Sequence, residues 1–250
     1  METKPMIHLH LRNQVLQRDS LGYNRWEIQT TTSFVPVNKV CLIICDMWDQ
    51  HWSRGAAERV KAMAPRMNAV IKAARSKGVS IIHAPSETLK FYANTPARLR
   101  MKGVHRVSPP QPVQHLKPAL PIDDSDGGSD TGEKPWSRVW TRQHPTIEID
   151  QEHDCLSDDG KEIYSFCRQN DIEQILIMGV HTNMCILDRS FGIMQMVCWG
   201  APIALVRDMT DAMYNPARPP YTSHEDGTRL VVEYIEKFWC PTVLSKDLAE

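Results

Sequence analysis

The sequence lacks several features that would place it in a specialised class of protein. Among its 250 residues, no apolar run approaches the ~20 residues of a transmembrane helix. The first residues lack the charged start and apolar stretch of a secretory signal. The charges nearly cancel, with 29 Lys and Arg against 30 Asp and Glu, so nothing favours nucleic acid or an acidic membrane as partner. We therefore expect a cytoplasmic protein that binds neither nucleic acid nor membrane.

The seven cysteines lack the spacing of a structural framework. No CxxC pair is present, which argues against a zinc ribbon or a thioredoxin-type redox motif. An odd count leaves at least one thiol free. Six cysteines lie in or at the edge of apolar segments, as small buried hydrophobic residues do, namely Cys41, Cys45, Cys155, Cys167, Cys198 and Cys240. Cys185 has a different context.

What is present is an alternation of strand-like and helix-like segments. Residues 40–45 form a continuous apolar run, typical of a strand buried on both faces. Apolar residues then recur at helical spacing over 55–77, and Gly78 is the expected end of that helix. The further predicted strands are 79–84, one marked by Ile147 and Ile149, 174–179, 202–207 and 242–244, with helices ending near 169, 197 and 238. This order predicts a three-layer α/β/α sandwich around a six-stranded, parallel, doubly wound sheet.

Two regions depart from the alternation. Residues 1–39 contain short alternating pieces and are predicted to be an extended arm laid over the domain of residues 40–250. Residues 86–145 form a long insertion rich in Pro, Gly, Asp and Ser. Such a stretch is usually a lid, a binding loop or an oligomer contact.

Two residues with suitable chemistry follow predicted strands. Ligands of an open parallel sheet bind beyond the carboxyl ends of its strands, where Asp46 and Cys185 are expected. Cys185 falls near the first turn of a helix, whose unpaired N–H groups could stabilise a thiolate or an oxyanion. A neighbouring carboxylate could act as general base toward the thiol. The alternative is that Asp46 caps its strand and Cys185 is simply buried.

The residues around these two positions resemble a known family. Ile44-Cys45-Asp46, together with Gly179-Val180-His181-Thr182-Asn183-Met184-Cys185, is similar to the isochorismatase-like cysteine hydrolases. That superfamily includes nicotinamidases, N-carbamoylsarcosine amidases and ureidoacrylate or biuret amidohydrolases. The resemblance covers about residues 38–248 and implies a three-layer α/β fold, a small-molecule substrate and commonly a homo-oligomer, a dimer or tetramer.

The resemblance also implies roles for individual residues. Cys185 would attack an amide, carbamoyl or ureido carbonyl and form a thioester-type intermediate. Asp46 would take the thiol proton and pass it to the leaving amine. A cis peptide bond is expected at Val180–His181, where it would direct the backbone N–H of His181, with that of Cys185, at the developing oxyanion.

The third catalytic position departs from the family pattern. The family lysine, about thirty-three residues before the cysteine, falls on Glu152. Glu152 could replace the lysine with altered chemistry; Lys161, Lys134 or Arg142 could enter the site instead; or the chain could have lost activity. Counting back from Cys185 favours Glu152 as the third catalytic residue.

No cofactor or metal is expected. The nicotinamidases of the superfamily carry an Asp-x-His pair after the second strand, and this chain lacks that spacing. His51, His83 and Glu87 are scattered and form only weak evidence of a metal site.

Aromatic residues are the predicted substrate contacts. Trp48, His51 and Trp52 lie in the loop after the first core strand, and aromatic rings stack on planar groups. His83, near the end of the second core strand, and Tyr214, after the fifth, complete this predicted set. The alternative for the tryptophans is packing beneath the next helix.

The leading hypothesis is a cysteine-dependent hydrolase of linear C–N bonds in a small molecule. Two alternatives remain open. One is hydrolysis of a vinyl ether such as isochorismate, a reaction that does not require a cysteine nucleophile. The other is a catalytically silent binding protein, which the missing lysine suggests.

Overall fold

A computed structural model describes residues 5–135 and 138–249, and within them lies one eight-stranded sheet. The strands are β1 (Met6–Arg18), β2 (Asn24–Pro36), β3 (Val40–Cys45), β4 (Ser80–Ala84), β5 (Cys155–Leu156), β6 (Gln174–Val180), β7 (Ile203–Asp211) and β8 (Thr242–Val243). Their order across the sheet is β2-β1-β8-β7-β6-β3-β4-β5. The six strands from β8 to β5 are parallel, as predicted.

Helices cover both faces of the parallel strands. They are α1 (Arg54–Lys77), α2 (Pro96–Lys102), α3 (Gly160–Gln169), α4 (Cys185–Asp188), α5 (Ile193–Cys198), α6 (His224–Phe238) and α7 (Lys246–Ala249). Apolar residues of α1 pack on one face of the sheet, and those of α3, α5 and α6 pack on the other. Every residue of β3 and β6 is buried between these layers, which explains their continuous apolar sequence.

The longest helix shows how local sequence sets its ends. The Ser53 hydroxyl caps α1 by accepting the N–H of Ala56. Gly78 ends α1 with φ 100°, a left-handed conformation that glycine adopts without steric cost, and this confirms the predicted stop. Across the described ranges, no helix combines the length and apolarity needed to span a bilayer.

The predicted N-terminal arm is a β-hairpin. β1 and β2 pair along their full length, and β1 joins the parallel sheet where Arg12 lies opposite Thr242. Ile7 and Leu9 alternate into the core beside α1, which anchors the base of the hairpin. The hairpin therefore raises the strand count from the predicted six to eight.

The predicted third strand is misplaced. The structure puts β5 at Cys155–Leu156, parallel to β4, and leaves Ile147 and its neighbours without a strand partner. Ile147 is buried, but its carbonyl accepts a hydrogen bond from the Gln143 side chain. A side chain thus takes the place of a neighbouring strand.

The insertion packs on the core through specific contacts. Asp130 binds Arg59 of α1 at 2.7 Å. Gly128 has φ 73° and passes so close to the loop after β7 that a Cβ atom there would lie 2.3 Å from the Met213 carbonyl oxygen. This part of the insertion is fitted against the carboxyl end of the sheet, where ligands of this fold class bind.

Candidate active site

Asp46 lies at the carboxyl end of β3 and is completely buried. Its φ of 47° turns the chain sharply after the strand. The Ser86 N–H donates to Oδ1 at 2.7 Å, and Arg189 Nε donates to Oδ2 at 3.0 Å. The carboxylate is therefore held by one backbone donor and one cation.

Cys185 is the first residue of α4 and is partly buried. Its thiol lies against the Asp46 carboxylate, and its sulfur also accepts a hydrogen bond from the backbone N–H of His181. The Val180–His181 peptide bond is cis, as the resemblance implied. The structure thus brings together the two residues predicted as nucleophile and base.

The charges around the thiol keep it protonated. Burial raises the pKa of Cys185, and the negative charge of Asp46 raises it further; Arg189 and the His181 N–H act in the opposite direction. The expectation of a stabilised thiolate is therefore wrong, because burial and Asp46 outweigh the helix start, and α4 has only four residues. The nucleophile needs a base to lose its proton.

The same surroundings act on Asp46. Burial raises its pKa, whereas the Arg189 cation and the hydrogen bonds from Cys185 and Ser86 lower it. The pairing in turn raises the pKa of Arg189, so that this guanidinium stays charged. Arg189 is thus the strongest of the groups that oppose protonation of the buried carboxylate.

Arg189 supplies the cation that the sequence prediction missed. It follows Cys185 by four residues, and its guanidinium carbon lies 5.9 Å from the centre of the Trp48 ring. Its Nη1 is 4.0 Å from Glu87 Oε1. The sequence signal for this contact was the four-residue spacing of Cys185 and Arg189, because residues four apart share a face of a helical turn.

Glu152 is not the third member of this site. It is exposed, its carbonyl accepts from Arg100, and its N–H donates to Asp150 at 2.8 Å. The assignment failed because counting back to a lysine position assumed a third strand at the wrong place. The other candidates also lie elsewhere: Lys161 and Lys134 are exposed, and Arg142 faces Asp49.

A groove of about 440 Å³ opens beside the thiol. It is lined by Leu120, Asp124, Asn183, Met184, Cys185, Asp188 and Arg189. Asp124 accepts a hydrogen bond from the Asn183 side chain at 2.7 Å, which fastens the insertion to the loop that carries the nucleophile. Part of the groove wall therefore comes from the insertion.

The five predicted substrate contacts do not border this groove within the residues that the structure describes. Trp48 stacks on Trp140 with ring centres 4.1 Å apart, and His51 stacks on the same ring. Trp52 packs next to His51. Together these rings form an aromatic wall behind Asp46 and His181. The rings pack mainly against one another, which agrees with the packing alternative and not with direct substrate contact.

His83 and Tyr214 are scaffold residues. His83 is wholly buried and binds Asp154 and Gln143 through its two ring nitrogens, at 2.9 and 3.0 Å. Tyr214 is also wholly buried, and its hydroxyl donates to the Arg218 carbonyl. Both were predicted from their place near the end of a strand, which does not reveal the direction of a side chain.

The weak metal candidates do not converge. Glu87 pairs with Arg138 at 3.4 Å, while His51 and His83 lie in the separate surroundings described above. Over residues 5–135 and 138–249, no three His, Cys, Asp or Glu side chains are grouped so that they could hold a metal ion.

Comparison with known proteins agrees with the geometry. A family model described as the isochorismatase domain matches residues 40–195, a range that includes Asp46, Cys185 and Arg189. No curated protein sequence matches the chain.

Solved structures resemble the chain over most of its length. A cysteine hydrolase from Pseudomonas syringae pv. phaseolicola is 14% identical, with 86% of this chain and 92% of that chain covered and a TM-score of 0.51. A putative isochorismatase from Burkholderia xenovorans is 14% identical, with 83% and 84% covered and a TM-score of 0.49. The first likeness shows a shared fold.

Proposed function

The chain belongs to the isochorismatase family, and we propose that it is a cysteine-dependent hydrolase of C–N bonds in a small molecule. The bond would be of the amide, carbamoyl or ureido type. The observation that carries this proposal is the contact of the Cys185 thiol with the buried, Arg189-bound carboxylate of Asp46.

Asp46 would act as general base and then as general acid. As Cys185 Sγ bonds to the carbonyl carbon, its proton moves to Asp46, and the His181 N–H stabilises the oxyanion. The C–N bond then breaks, and Asp46 returns the proton to the leaving nitrogen. Water, deprotonated by Asp46, would then attack the carbonyl carbon of the thioester-type intermediate. The C–S bond breaks, the acid or carbamate leaves, and Asp46 returns the proton to the Cys185 sulfur.

Arg189 would contribute charge but no proton. A guanidinium does not deprotonate in proteins, so it cannot relay the proton as a lysine could. Its role would be to keep Asp46 ionised before attack and to balance the negative charge that develops during attack.

The groove suits a small substrate. Its volume of about 440 Å³ falls in the range of small-molecule pockets. Asp124 and Asp188 offer polar groups along its lining, and Leu120 offers an apolar one. These residues, rather than the predicted aromatic set, are proposed to orient the substrate.

Alkylation by iodoacetamide tests whether Asp46 is the base. Cys185 and Cys198 are the partly exposed cysteines, and the other five are buried, so Cys198 is an internal control. If Asp46 only contributed negative charge, Asp46→Asn would lower the Cys185 pKa and speed alkylation. A base role requires the opposite, a slowing of about 10²-fold at Cys185 with Cys198 unchanged.

Turnover tests the reaction class. The protein should hydrolyse members of a panel of linear amides, carbamoyl and ureido compounds, and intact-mass measurement should detect an acyl adduct that Cys185→Ala lacks. Cys198→Ala is the matched control and should keep full activity. Turnover of a vinyl ether alone, or full turnover by Cys185→Ala, would reject the proposal.

A further inference from the structure

The outer strand of the hairpin is an unprotected sheet edge. β2 has 13 residues, and its burial pattern is exposed over nearly its whole length. Ile28 and Phe34 are 61% and 60% exposed. Natural edge strands are usually short or carry charges, bulges or prolines that prevent further pairing. β2 has its two charged residues, Arg25 and Glu27, near one end and its proline, Pro36, at the other.

The direction of the backbone groups of β2 can be worked out from its ends. Asp19 N–H donates to the Tyr23 carbonyl, and Val37 N–H donates to the Pro5 carbonyl. Hydrogen-bonded pairs alternate along an antiparallel ladder, so the odd-numbered residues of β2 face β1. The N–H and C=O groups of even-numbered residues such as Trp26, Thr30 and Phe34 therefore point outward. Within the described residues these outward groups make no hydrogen bond.

We propose that β2 pairs with β2 of a second copy of this chain, antiparallel and about a two-fold axis at Thr30. This register uses the full strand, because Asn24 and Pro36 are equally distant from Thr30. It places Trp26 opposite Phe34 of the second copy and Ile28 opposite Thr32, with no like charges face to face. Aromatic and β-branched cross-strand pairs of this kind stabilise sheets.

The size of the contact comes close to that of a stable dimer. A 13-residue strand at about 3.4 Å per residue is about 44 Å long, and a sheet is about 10 Å thick. Pairing the two edges would cover roughly 900 Å² in total, and burial of Trp26 and Phe34 adds to this. Stable interfaces begin near about 1,000 Å². The two eight-stranded sheets would become one continuous sheet of sixteen strands.

The hairpin is held firmly enough to present this edge. Glu236 of α6 accepts hydrogen bonds from Arg12, Gln14 and Thr242. Trp26 also packs edge-to-face on Phe238 at 5.6 Å. β2 is therefore fixed relative to the core before it meets a partner, which lowers the cost of association.

Proline substitution tests the interface without breaking the hairpin. The Thr30 N–H points outward, so Thr30→Pro removes a donor to the second copy and none to β1. We expect the wild-type chain to be a dimer in sedimentation velocity at about 10 μM, and Thr30→Pro to be a monomer with unchanged circular dichroism. Leu99→Lys, at an exposed apolar position on α2, should stay dimeric. A monomeric wild-type chain, or a dimeric Thr30→Pro, would overturn the proposal.

Cysteine substitution tests the register. At the two-fold axis the two Thr30 Cα atoms would lie about 5.5 Å apart, within disulfide range, whereas the two Thr32 Cα atoms would be more than about 13 Å apart. Mild oxidation should therefore link Thr30→Cys into a covalent dimer, and should leave Thr32→Cys and the wild-type chain unlinked. A linked Thr32→Cys, or an unlinked Thr30→Cys, would contradict the Thr30 axis.

Discussion

At the scale of single residues, burial and one cation act in opposite directions on the ionisation of the site. Arg189 lowers the pKa of Asp46, which burial alone would raise. Asp46 must be ionised to act as base, so activity should fall on the acid side as this carboxylate takes up a proton. Because its pKa lies above the ordinary value, this fall should occur at higher pH than for a solvent-exposed aspartate.

Replacement of Arg189 should shift the acid limb of the pH–rate profile, the range in which activity falls as Asp46 takes up a proton. In Arg189→Gln the Asp46 pKa rises, because burial is no longer opposed by a positive charge, so the acid limb of kcat/KM should shift to higher pH. We also expect a loss of about 10²-fold at neutral pH. Arg189→Lys keeps the charge and should recover part of the loss, and Glu152→Gln, on the surface, is the control. A pH–rate profile in which Arg189→Gln leaves the acid limb in place would contradict this role.

The site residues differ in how far the sequence could predict them. Asp46 could be predicted because it directly follows the apolar run of β3, and Cys185 because it lies at the helix start that follows the apolar run of β6. Arg189 could not be assigned to Asp46, because its contact depends on the turn of α4 and on the Trp48 ring beneath the guanidinium. The Glu152 error arose from a strand of only two residues, too short to show a pattern.

At the scale of elements, the insertion is held in place by close packing of its backbone against the loop after β7. Gly128 and Gly132 both have positive φ, 73° and 88°, so alanine strains the backbone at either position. A Cβ at Gly128 would collide with the Met213 backbone, whereas a Cβ at Gly132 meets no atom within 4 Å. Comparing alanine at the two positions therefore separates the cost of a strained backbone from the cost of pushing the insertion away from Met213.

Alanine at Gly128 should loosen the groove wall. We expect Gly128→Ala to raise KM and to lower kcat/KM by about 10-fold or more, since small misplacements near a site are costly. Gly132→Ala should cost only about 1 kcal/mol of stability and little activity. Steady-state kinetics of both variants measure the difference, and equal effects would show that the contact with Met213 does not matter.

The hairpin depends on one buried carboxylate. Glu236→Ala would leave Arg12 and Thr242 without their partner, so we expect a loss of about 3 kcal/mol in the free energy of unfolding. Glu233→Ala, on the same helix, removes a more exposed partner of Arg229 and Lys237 and should cost less than about 1 kcal/mol. Urea denaturation compares the two, and similar losses would refute this account of the hairpin.

At the scale of the whole molecule, the parallel core was predictable and its edges were not. The core strands β3 and β6 are buried on both faces, and burial requires the apolar runs from which they were predicted. The alternating residues of the hairpin indicate extended chain, but both of its faces are exposed over much of its length, so the pattern does not show which strand it pairs with. Its place beside β8 depends on side-chain contacts such as Arg12 with Glu236, which no periodicity reveals.

Because Cys185 is protonated in the resting protein, its thiol should resist oxidation. Peroxide attacks thiolates far more readily than thiols, so a thiol whose pKa is raised by burial and by Asp46 is a poor target. The protein should lose activity only slowly in dilute hydrogen peroxide at neutral pH, and faster as the medium becomes alkaline. Reactivity would then be confined to the moment of catalysis, when a substrate carbonyl is in place to receive the sulfur.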